Sequence, residues 1–258
     1  MTSFRSDSSR ARLEGVLRDA GRLAMAHFGG VRGVAKPDGT QVTVADREVE
    51  RELVNALSAL YPDDSFISEE GTRIDRGKAT WYIDPIDGTS AYIQGLAHWG
   101  PTICRVDDQG LELGALYLPR LDEFWYARRG YGAFRDDVRL GAGDPGQLSR
   151  HHSLFVPSRF HRAPALPWPG KVRALGSSAA HLALVASGAG LAAMIPTWSL
   201  WDIGAGVLMM EEAGRRVCDA HGEPVDVTRC QPGLPILAGA STALDRLVET
   251  GWPANALR

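Results

Sequence analysis

The sequence has few of the features that would place a protein in a large functional class at once. No apolar run approaches the length of about 18 residues that a membrane-spanning helix needs, so we expect no membrane partner. Basic charge is not in excess, since 28 Lys and Arg stand against 31 Asp and Glu, and nucleic acid is therefore not an expected partner. The three cysteines, Cys104, Cys218 and Cys230, lie far apart without metal-ligand spacing, which favours reduced thiols over disulfides.

The beginning of the chain also lacks a recognisable targeting signal. Residues 1–12 are polar and contain arginine, without the apolar h-region of a signal peptide. Together with the reduced cysteines, this predicts a cytoplasmic location. The chain has no internal repeat, and its 258 residues suffice for one large domain or two small ones.

What the sequence does contain is one unusual segment at residues 81–89, Trp-Tyr-Ile-Asp-Pro-Ile-Asp-Gly-Thr. Its apolar start predicts a short buried strand, and Pro85 keeps Asp84 extended, so that the strand runs up to this carboxylate. Pro85 also suits the first positions of a turn or helix, and we expect a strand-to-helix turn that points Asp84 and Asp87 into one space. Two close carboxylates repel each other unless a cation lies between them, and hard oxygen ligands favour Mg²⁺, Mn²⁺ or Ca²⁺. Gly88 would let a phosphate approach the backbone.

Before this segment, the pattern predicts two helices and a strand. An apolar stripe from Leu13 to Ala24 has helical spacing. Thr43 and Asp46 have the spacing of a capping box, which predicts the start of a second helix that ends near Tyr61. The next segments are a strand at residues 65–68 that would deliver Glu69 and Glu70, and a mobile polar loop at residues 71–78.

After residue 92 the alternation of apolar residues predicts an antiparallel meander, with a hairpin turn at residues 107–110. Its four strands are expected at residues 102–106, 113–118, 123–127 and 132–135. Residues 141–170, rich in Gly, Pro, His and Arg, would form the join to a second half. There we predict strands at residues 171–175, 191–195 and 235–240, and helices at residues 177–187, 202–213 and 241–249.

These elements predict an α/β (α+β) fold with alternating helix and sheet layers and strands of mixed direction. We expect an N-terminal α+β half at residues 1–140, which carries the meander and the main metal motif, and a C-terminal α/β half at residues 141–258. The two halves would form one compact catalytic unit.

Taken one at a time, the remaining acids have ordinary explanations. Asp202 precedes a predicted helix and fits a helix N-cap, a position that aspartate often fills. Glu69 and Glu70 fit a solvated loop, and Asp46 fits a capping acid. Even the pair at residues 84 and 87 fits a turn.

Taken together, these segments resemble the inositol monophosphatase family of metal-dependent phosphatases. Residues 81–89 match the family's D-P-I-D-G-T pattern without a gap, and residues 66–70 resemble the acidic pair that precedes it. Residues 201–206 and 212–214 resemble its W-D-x-A-A-G and E-A-G segments, and residues 43–47 and 176–179 its T-x-x-D and G-[ST]-[SA]-A helix starts. The order agrees from about Leu13 to Val248, and it implies the layered α-β-α-β-α sandwich of this family.

The resemblance implies a role for each matching residue. Glu69, Asp84 and the carbonyl of Ile86 would hold one Mg²⁺, and Asp84, Asp87 and Asp202 a second, with a weaker third ion near Glu69. Thr89, supported by Asp46, would hold or deprotonate the attacking water. The N–H groups of Gly88 and Thr89 would bind phosphate oxygens, and Lys36 lies in the loop that closes over the metals in relatives. With His181, which departs from the family pattern, the residues expected to bind phosphate or substrate are Lys36, Asp87, Gly88, Thr89, His181 and Asp202.

The implied reaction is hydrolysis of a small phosphomonoester by direct in-line attack of metal-activated water, without a phosphoenzyme. The haloacid-dehalogenase phosphatases, which form an aspartyl intermediate, also have a D-x-D-G-T before a helix. The spacing here is D-x-x-D and lies 84 residues into the chain, which argues against that mechanism. The resemblance also implies a homodimer, and lithium sensitivity is a family trait that the sequence does not decide.

The sequence departs from the family where relatives contact the hydroxyl groups of inositol. Acids are usual seven and eleven residues before Asp202 and in the helix after Gly176, and these positions hold Ile195, Leu191 and His181. An apolar Ile195 accepts no hydrogen bond from a ring hydroxyl, so inositol itself is in doubt. Either Trp198 and His181 line a different pocket, or Trp198 packs in the core and His181 is solvated or has its hydrogen bonds satisfied.

We therefore expect a Mg²⁺-dependent phosphomonoesterase for a small polyol or sugar phosphate like inositol 1-phosphate. Histidinol-phosphate phosphatase and 3′-phosphoadenosine 5′-phosphate phosphatase are alternatives within the family. An alternative of another class is a non-catalytic homologue that binds metal or phosphate.

Overall fold

The computed structural model describes residues 8–37, 39–141, 143–160, 168–230 and 234–251. Six helices are formed in these ranges: α1 Ser8–His27, α2 Val44–Leu60, α3 Thr89–Ile93, α4 Ser178–Ala186, α5 Leu200–Glu212 and α6 Ser241–Glu249. No helix among them is long and apolar enough to cross a bilayer.

An eight-stranded sheet occupies the first half of the chain, in the order β10-β9-β8-β7-β6-β5-β3-β4. All its neighbours pair antiparallel except β3 and β5, which are parallel. Its strands are β3 Ser65–Ser68, β4 Arg73–Ile74, β5 Thr80–Asp87, β6 Gly100–Asp107, β7 Gly110–Leu118, β8 Glu123–Arg128, β9 Gly132–Arg135 and β10 Val138–Arg139.

A five-stranded sheet occupies the second half, in the order β12-β11-β13-β15-β14. Strand β11 runs parallel to both of its neighbours, and β15 runs antiparallel to both of its own. Its strands are β11 Ser153–Phe155, β12 Lys171–Arg173, β13 Ala192–Ile195, β14 Arg216–Asp219 and β15 Ile236–Gly239. A short antiparallel hairpin is separate from both sheets, and each of its strands, β1 Val34–Ala35 and β2 Gln41–Val42, has two residues.

The buried hydrophobic side chains form three clusters, each of which lies between two neighbouring layers of helices or sheet. The first core joins α1 and α2 to one face of the large sheet, and includes Leu17, Leu53 and Trp81. The second lies between the two sheets and is filled by α4 and α5. The third joins the small sheet to α6, with Leu237 and Leu244. The result is an α-β-α-β-α sandwich with mixed sheets, which confirms the predicted fold class.

Six short strands were missed from the sequence: β1, β2, β4, β10, β11 and β14. Residues 71–78 were expected to be a mobile loop, but they contain β4, and the Ser65 hydroxyl accepts hydrogen bonds from the backbone of Arg76 and Gly77. Residues 141–170 were interpreted as a join only, although β11 lies within them. Strand β14 follows Gly214 and was not predicted.

The large sheet lies within residues 65–139 and the small sheet within residues 153–239. Helix α5 contacts strands of both sheets. The division of the chain at residue 140 stays a prediction.

Candidate active site

Two neighbouring parallel strands bring acids to one edge of the large sheet. Strand β3 ends at Ser68, and the next residue, Glu69, donates its N–H to Ile83 O of β5 at 3.0 Å. Strand β5 continues through Asp84 to Asp87, with an irregular register between these two residues. Because parallel strands end at the same edge, Glu69 lies beside the two aspartates.

The bulge in β5 corrects the turn expected from Pro85. The strand does not stop at Asp84, and the helix does not begin near Pro85 but at Thr89, after Gly88 as its N-cap. Within the bulge, Ile86 N–H donates to Asp84 Oδ1 at 2.9 Å. The extra residue places both carboxylates on the site while leaving Ile86 in the core.

The fourth acid comes from the second half of the chain. Asp202 is the third residue of α5, so it is not the N-cap, which is Ser199. Its Oδ2 accepts the N–H of Ser199 at 2.6 Å, the backbone arm of a capping box. The capping interpretation of Asp202 and its place at the site are therefore compatible, because one oxygen caps the helix and the other remains for a ligand.

Carboxylate oxygens of Glu69, Asp84 and Asp202 all lie within 4.8 Å of one another. Asp84 is 2% exposed and Asp87 6% exposed. A group of oxygen ligands this close and this buried fits a hard divalent cation, which would cancel their mutual repulsion.

Asp87 is held next to this group by the start of α4. Its Oδ2 accepts the N–H of Ala179 at 2.9 Å and the hydroxyl of Ser177 in a very short hydrogen bond. Ser177 is the N-cap of α4. The sequence indicated the helix start at residues 176–179 but not this bond; a serine before an apolar helical run is the signal that could have identified it as a donor.

Crowding raises the pKa of each aspartate. Burial, followed by the charges of Glu69, Asp87 and Asp202, raises the pKa of Asp84 well above its ordinary value. Burial and then the charge of Asp87 raise the pKa of Asp202 to about 8. Burial raises the pKa of Asp87 to about 6, although the bond from Ser177 acts in the opposite direction. The site thus disfavours its own negative charge, as expected of residues arranged around a cation.

Lys36 supplies a positive charge at the edge of this site. Its Nζ lies 2.8 Å from Glu69 Oε1 and 2.7 Å from Glu70 Oε1, and its side chain is 16% exposed. Burial opposes the charged ammonium, but the bonds to Glu69 and Glu70 outweigh it and raise the pKa of Lys36. Glu70, the second acid of the Glu69–Glu70 pair, therefore forms an ion pair with Lys36 that holds the ammonium group at the site.

Thr89 and Asp46 form a short relay beside the cluster. The Thr89 hydroxyl lies 3.3 Å from Asp46 Oδ1 and 3.2 Å from Ile86 O. The other oxygen of Asp46 accepts the N–H and the hydroxyl of Thr43, at 2.8 and 2.6 Å. Asp46 is therefore both the capping acid and a neighbour of Thr89. The Thr89 hydroxyl can donate to Asp46 and accept a hydrogen bond from a water.

Gly88 lies in close contact with the backbone of neighbouring loops. Its φ is +90°, and a Cβ there would lie 3.1 Å from Gly176 O and 3.2 Å from His98 O. A side chain at residue 88 would be strained and crowded, so the loop requires glycine.

The residues at the three substituted positions are packed rather than open. Ile195 is 2% exposed and Leu191 6% exposed. His181 is 3% exposed, its Nε2 accepts the N–H of Leu175 at 3.0 Å, and its ring stacks on Phe155. Burial lowers the pKa of His181 to about 4, so the ring is neutral.

Trp198, the other side chain considered for a substrate pocket, is 4% exposed and donates its indole N–H to Leu234 O at 2.7 Å. Trp198 is therefore packed in the core, and His181 is buried with its Nε2 hydrogen-bonded.

Comparisons with known proteins agree with this geometry. The sequence model described as the Inositol monophosphatase family matches residues 10–252. A Thermotoga maritima protein named fructose-1,6-bisphosphatase/inositol-1-monophosphatase is 33% identical over 222 residues, 81% of this chain and 83% of its own. The histidinol-phosphatase of Chlorobaculum parvum is 33% identical over 214 residues, 79% of this chain and 82% of its own. A solved IMPase structure from Thermotoga maritima has a TM-score of 0.83 and 29% identity, and the match covers 93% of this chain and 94% of that one.

The matches and the acid cluster define a metal-dependent phosphatase, that is, a phosphoric monoester hydrolase. The chain belongs to the inositol monophosphatase family.

Proposed function

We propose that this protein is a Mg²⁺-dependent phosphomonoesterase that hydrolyses a small polyol or sugar phosphate by attack of water. The observation that carries the proposal is the convergence of Glu69, Asp84 and Asp202 within 4.8 Å, beside the buried Asp87. Neither parallel strands nor helix capping requires four acids at one point. A pair of hard cations requires such a group of acids, and the cations in turn attract an anionic substrate.

Each ligand group has a role that follows from its position. Glu69, Asp84 and the carbonyl of Ile86 would hold one Mg²⁺, and Asp84, Asp87 and Asp202 another. Bound Mg²⁺ would lower the pKa of a coordinated water and offset the negative charge of the phosphate. Lys36 would have to release Glu69 for that carboxylate to bind a metal ion, and it can stay paired with Glu70.

The attacking water would be oriented by Thr89. Because the Thr89 hydroxyl has Asp46 Oδ1 as an acceptor, its lone pairs can accept a hydrogen bond from that water. The N–H groups of Gly88 and Thr89 would bind phosphate oxygens at the start of α3. His181 would not contact the substrate, because its ring is buried and its Nε2 already accepts a hydrogen bond from Leu175 N–H.

Two buried apolar residues bear on the alcohol part of the substrate. Ile195 and Leu191 offer no acceptor for ring hydroxyls and are packed in the core. This counts against a substrate whose specificity comes from many hydroxyl groups, and favours one held mainly by its phosphate.

Histidinol phosphate is a second candidate, because the Chlorobaculum parvum histidinol-phosphatase is as similar in sequence, at 33% identity, as the Thermotoga maritima protein. Its alcohol carries an amine and an imidazole in place of a polyol. The homodimer and the cytoplasmic location stay predictions from the sequence.

A substrate panel tests the proposal. Phosphate release would be measured with Mg²⁺ on inositol 1-phosphate, fructose 1,6-bisphosphate, histidinol phosphate and 3′-phosphoadenosine 5′-phosphate. We expect hydrolysis of a small polyol or sugar phosphate that stops with EDTA and returns with Mg²⁺. Strong preference for histidinol phosphate would select the second candidate, and no hydrolysis of any phosphomonoester would leave the non-catalytic alternative.

A further inference from the structure

Asp202 differs from the other acids of the site because it arrives on a helix from the second half of the chain. Glu69, Asp84 and Asp87 belong to the large sheet or adjoin it directly. The distance from Asp202 to Asp84 therefore depends on how α5 is seated on that sheet, and not on local strand geometry.

Close packing in the middle of α5 fixes its distance from the sheet. A Cβ on Gly114 of β7 would lie 2.7 Å from the Cα of Ala205, and a Cβ on Gly204 would overlap Cys104 Sγ. Glycines at both positions let backbone and side chain touch directly. Such contacts set the separation of helix and sheet along the middle of α5.

The far end of α5 carries a contact that adds a fixed direction to this packing. Glu212, the last residue of the helix, accepts the N–H of Gly130 on one carboxylate oxygen and that of Gly132 on the other, both at 2.7 Å. Gly130 lies in the turn between β8 and β9 and Gly132 is the first residue of β9, and both have positive φ, at +74° and +103°. Two charge-assisted hydrogen bonds to backbone fix the end of the helix in direction as well as in distance.

We infer that Glu212 is a positioning residue for Asp202, and that its carboxylate sets the orientation of α5 that completes the metal site. The ten residue steps from Asp202 to Glu212 span roughly 15 Å at 1.5 Å per residue. With Ala205 as the pivot, a small displacement of the Glu212 end moves Asp202 in the opposite direction. Mg²⁺ tolerates little displacement of its ligands, because it demands near-octahedral geometry with short bonds. This inference rests on the proposed function.

The test is calorimetric titration with MgCl₂, so that its readout is independent of activity. Glu212→Gln keeps the size of the side chain but replaces one acceptor by a donor, and Glu212→Ala removes both. Glu211→Gln is the matched control, since Glu211 makes neither of the two hydrogen bonds. Leu247→Val, in the core beneath α6, is a control for loss of stability alone.

We expect both Glu212 variants to bind Mg²⁺ more weakly, on the order of tenfold, as other changes beyond the ligands themselves do. Glu211→Gln and Leu247→Val should keep the affinity of the wild type, even where Leu247→Val melts earlier. If folded Glu212→Gln and Glu212→Ala bind Mg²⁺ as tightly as the wild type, Glu212 does not position the site and the inference is wrong. If the wild type itself takes up no Mg²⁺, the proposed function fails first, and the inference with it.

Discussion

Buried acids are costly for a protein, and this site collects several of them. Burial and mutual repulsion raise the pKa of Asp84, Asp87 and Asp202, while Lys36 is the one cation bonded to Glu69 among the described residues. At the residue scale, the arrangement is thus poor for stability and suited to binding a cation. The next three predictions follow from this conflict.

Asp202→Asn keeps the shape and the capping bond but removes the charge that a metal ion would need. We expect phosphatase activity to fall by more than the roughly 10–100-fold that changes in second-sphere residues cause. Asp245→Asn on the surface of α6 is the matched control and should leave activity unchanged. Phosphate release across a range of Mg²⁺ concentrations measures both, and an active Asp202→Asn enzyme would exclude Asp202 as a ligand.

Thr89→Ala should abolish orientation of the water without touching a carboxylate. We expect a loss of activity of roughly 10²–10⁴-fold, the usual contribution of a positioned proton-transfer group. Thr89→Ser keeps the hydroxyl bonded to Asp46 and should retain most activity. Equal losses in both variants would show that packing of the methyl group matters, and not the hydroxyl.

The raised pKa values also predict how stability depends on pH without metal. Because Asp202 has a pKa of about 8, raised from 3.8 first by burial, the folded state keeps a proton that the unfolded chain releases. Stability therefore falls as pH rises towards 8, by about 1.4 kcal/mol per pH unit for one retained proton. His181 acts oppositely, because burial lowers its pKa from 6.5 to about 4 and stability is lost as pH falls through that range.

Between pH 6.5 and pH 8, the acids alone should decide the outcome. Melting temperatures in EDTA should fall across this interval for the wild type and fall less for Asp202→Asn. A melting temperature that stays constant or rises in EDTA would contradict the raised pKa of Asp202.

At the scale of elements, α2 shows how a local signal also serves the site. The Thr43 cap holds Asp46, and Asp46 in turn holds Thr89. The sequence predicted this helix start from the spacing of hydroxyl and acid alone. The spacing alone did not place Asp46 next to Thr89, because that requires the packing of α2 on β5, and only the family resemblance implied it.

Thr43→Ala tests this double role. Removing the cap should cost about 1 kcal/mol of stability. It should also lower activity, because Asp46 loses the hydroxyl that fixes one of its oxygens. Thermal melting and phosphate release on the same preparation would separate the two effects, with Thr43→Ser as the conservative control. A variant that melts earlier but works normally would show that Thr43 is only a cap.

The strands that the sequence missed share a physical cause. Strands β1, β2, β4 and β10 have two residues each and β11 has three, too few for a visible alternation of apolar and polar side chains, and the two apolar residues of β14 are adjacent. Strand β11 is fully buried, yet it lies in a stretch rich in Gly, Pro and His that reads as loop. Strand β11 pairs with β12 and β13, which are distant in sequence, and no local pattern encodes such pairing.

At the scale of the whole molecule, layering brings the two halves of the chain together at the site. The order of layers could be predicted because the motifs resemble a known family, while composition and periodicity alone indicated only helices with mixed sheets. The acids at positions 69, 84, 87 and 202 were predicted as one group for the same reason. The bonds from Ser177 to Asp87 and from Glu212 to the β8–β9 turn were not predicted, because each joins residues about 80 or more apart.

Because its ligands come from both halves, a bound cation should stabilise the whole fold. At a free concentration about 100 times its Kd, Mg²⁺ would add about 2.7 kcal/mol to the free energy of unfolding. We expect the melting temperature to rise with Mg²⁺ in the wild type and to rise less in Asp84→Asn. An equal rise in both would place the effect outside this site.

The most direct test of the central claim is a crystal structure of the protein soaked with Mn²⁺, with anomalous diffraction to locate the ions. The account predicts metal ions bound by Glu69, Asp84, Asp87 and Asp202, with Asp84 shared between two of them. A well-ordered site in which these carboxylates bind no metal at saturating Mn²⁺ would contradict it.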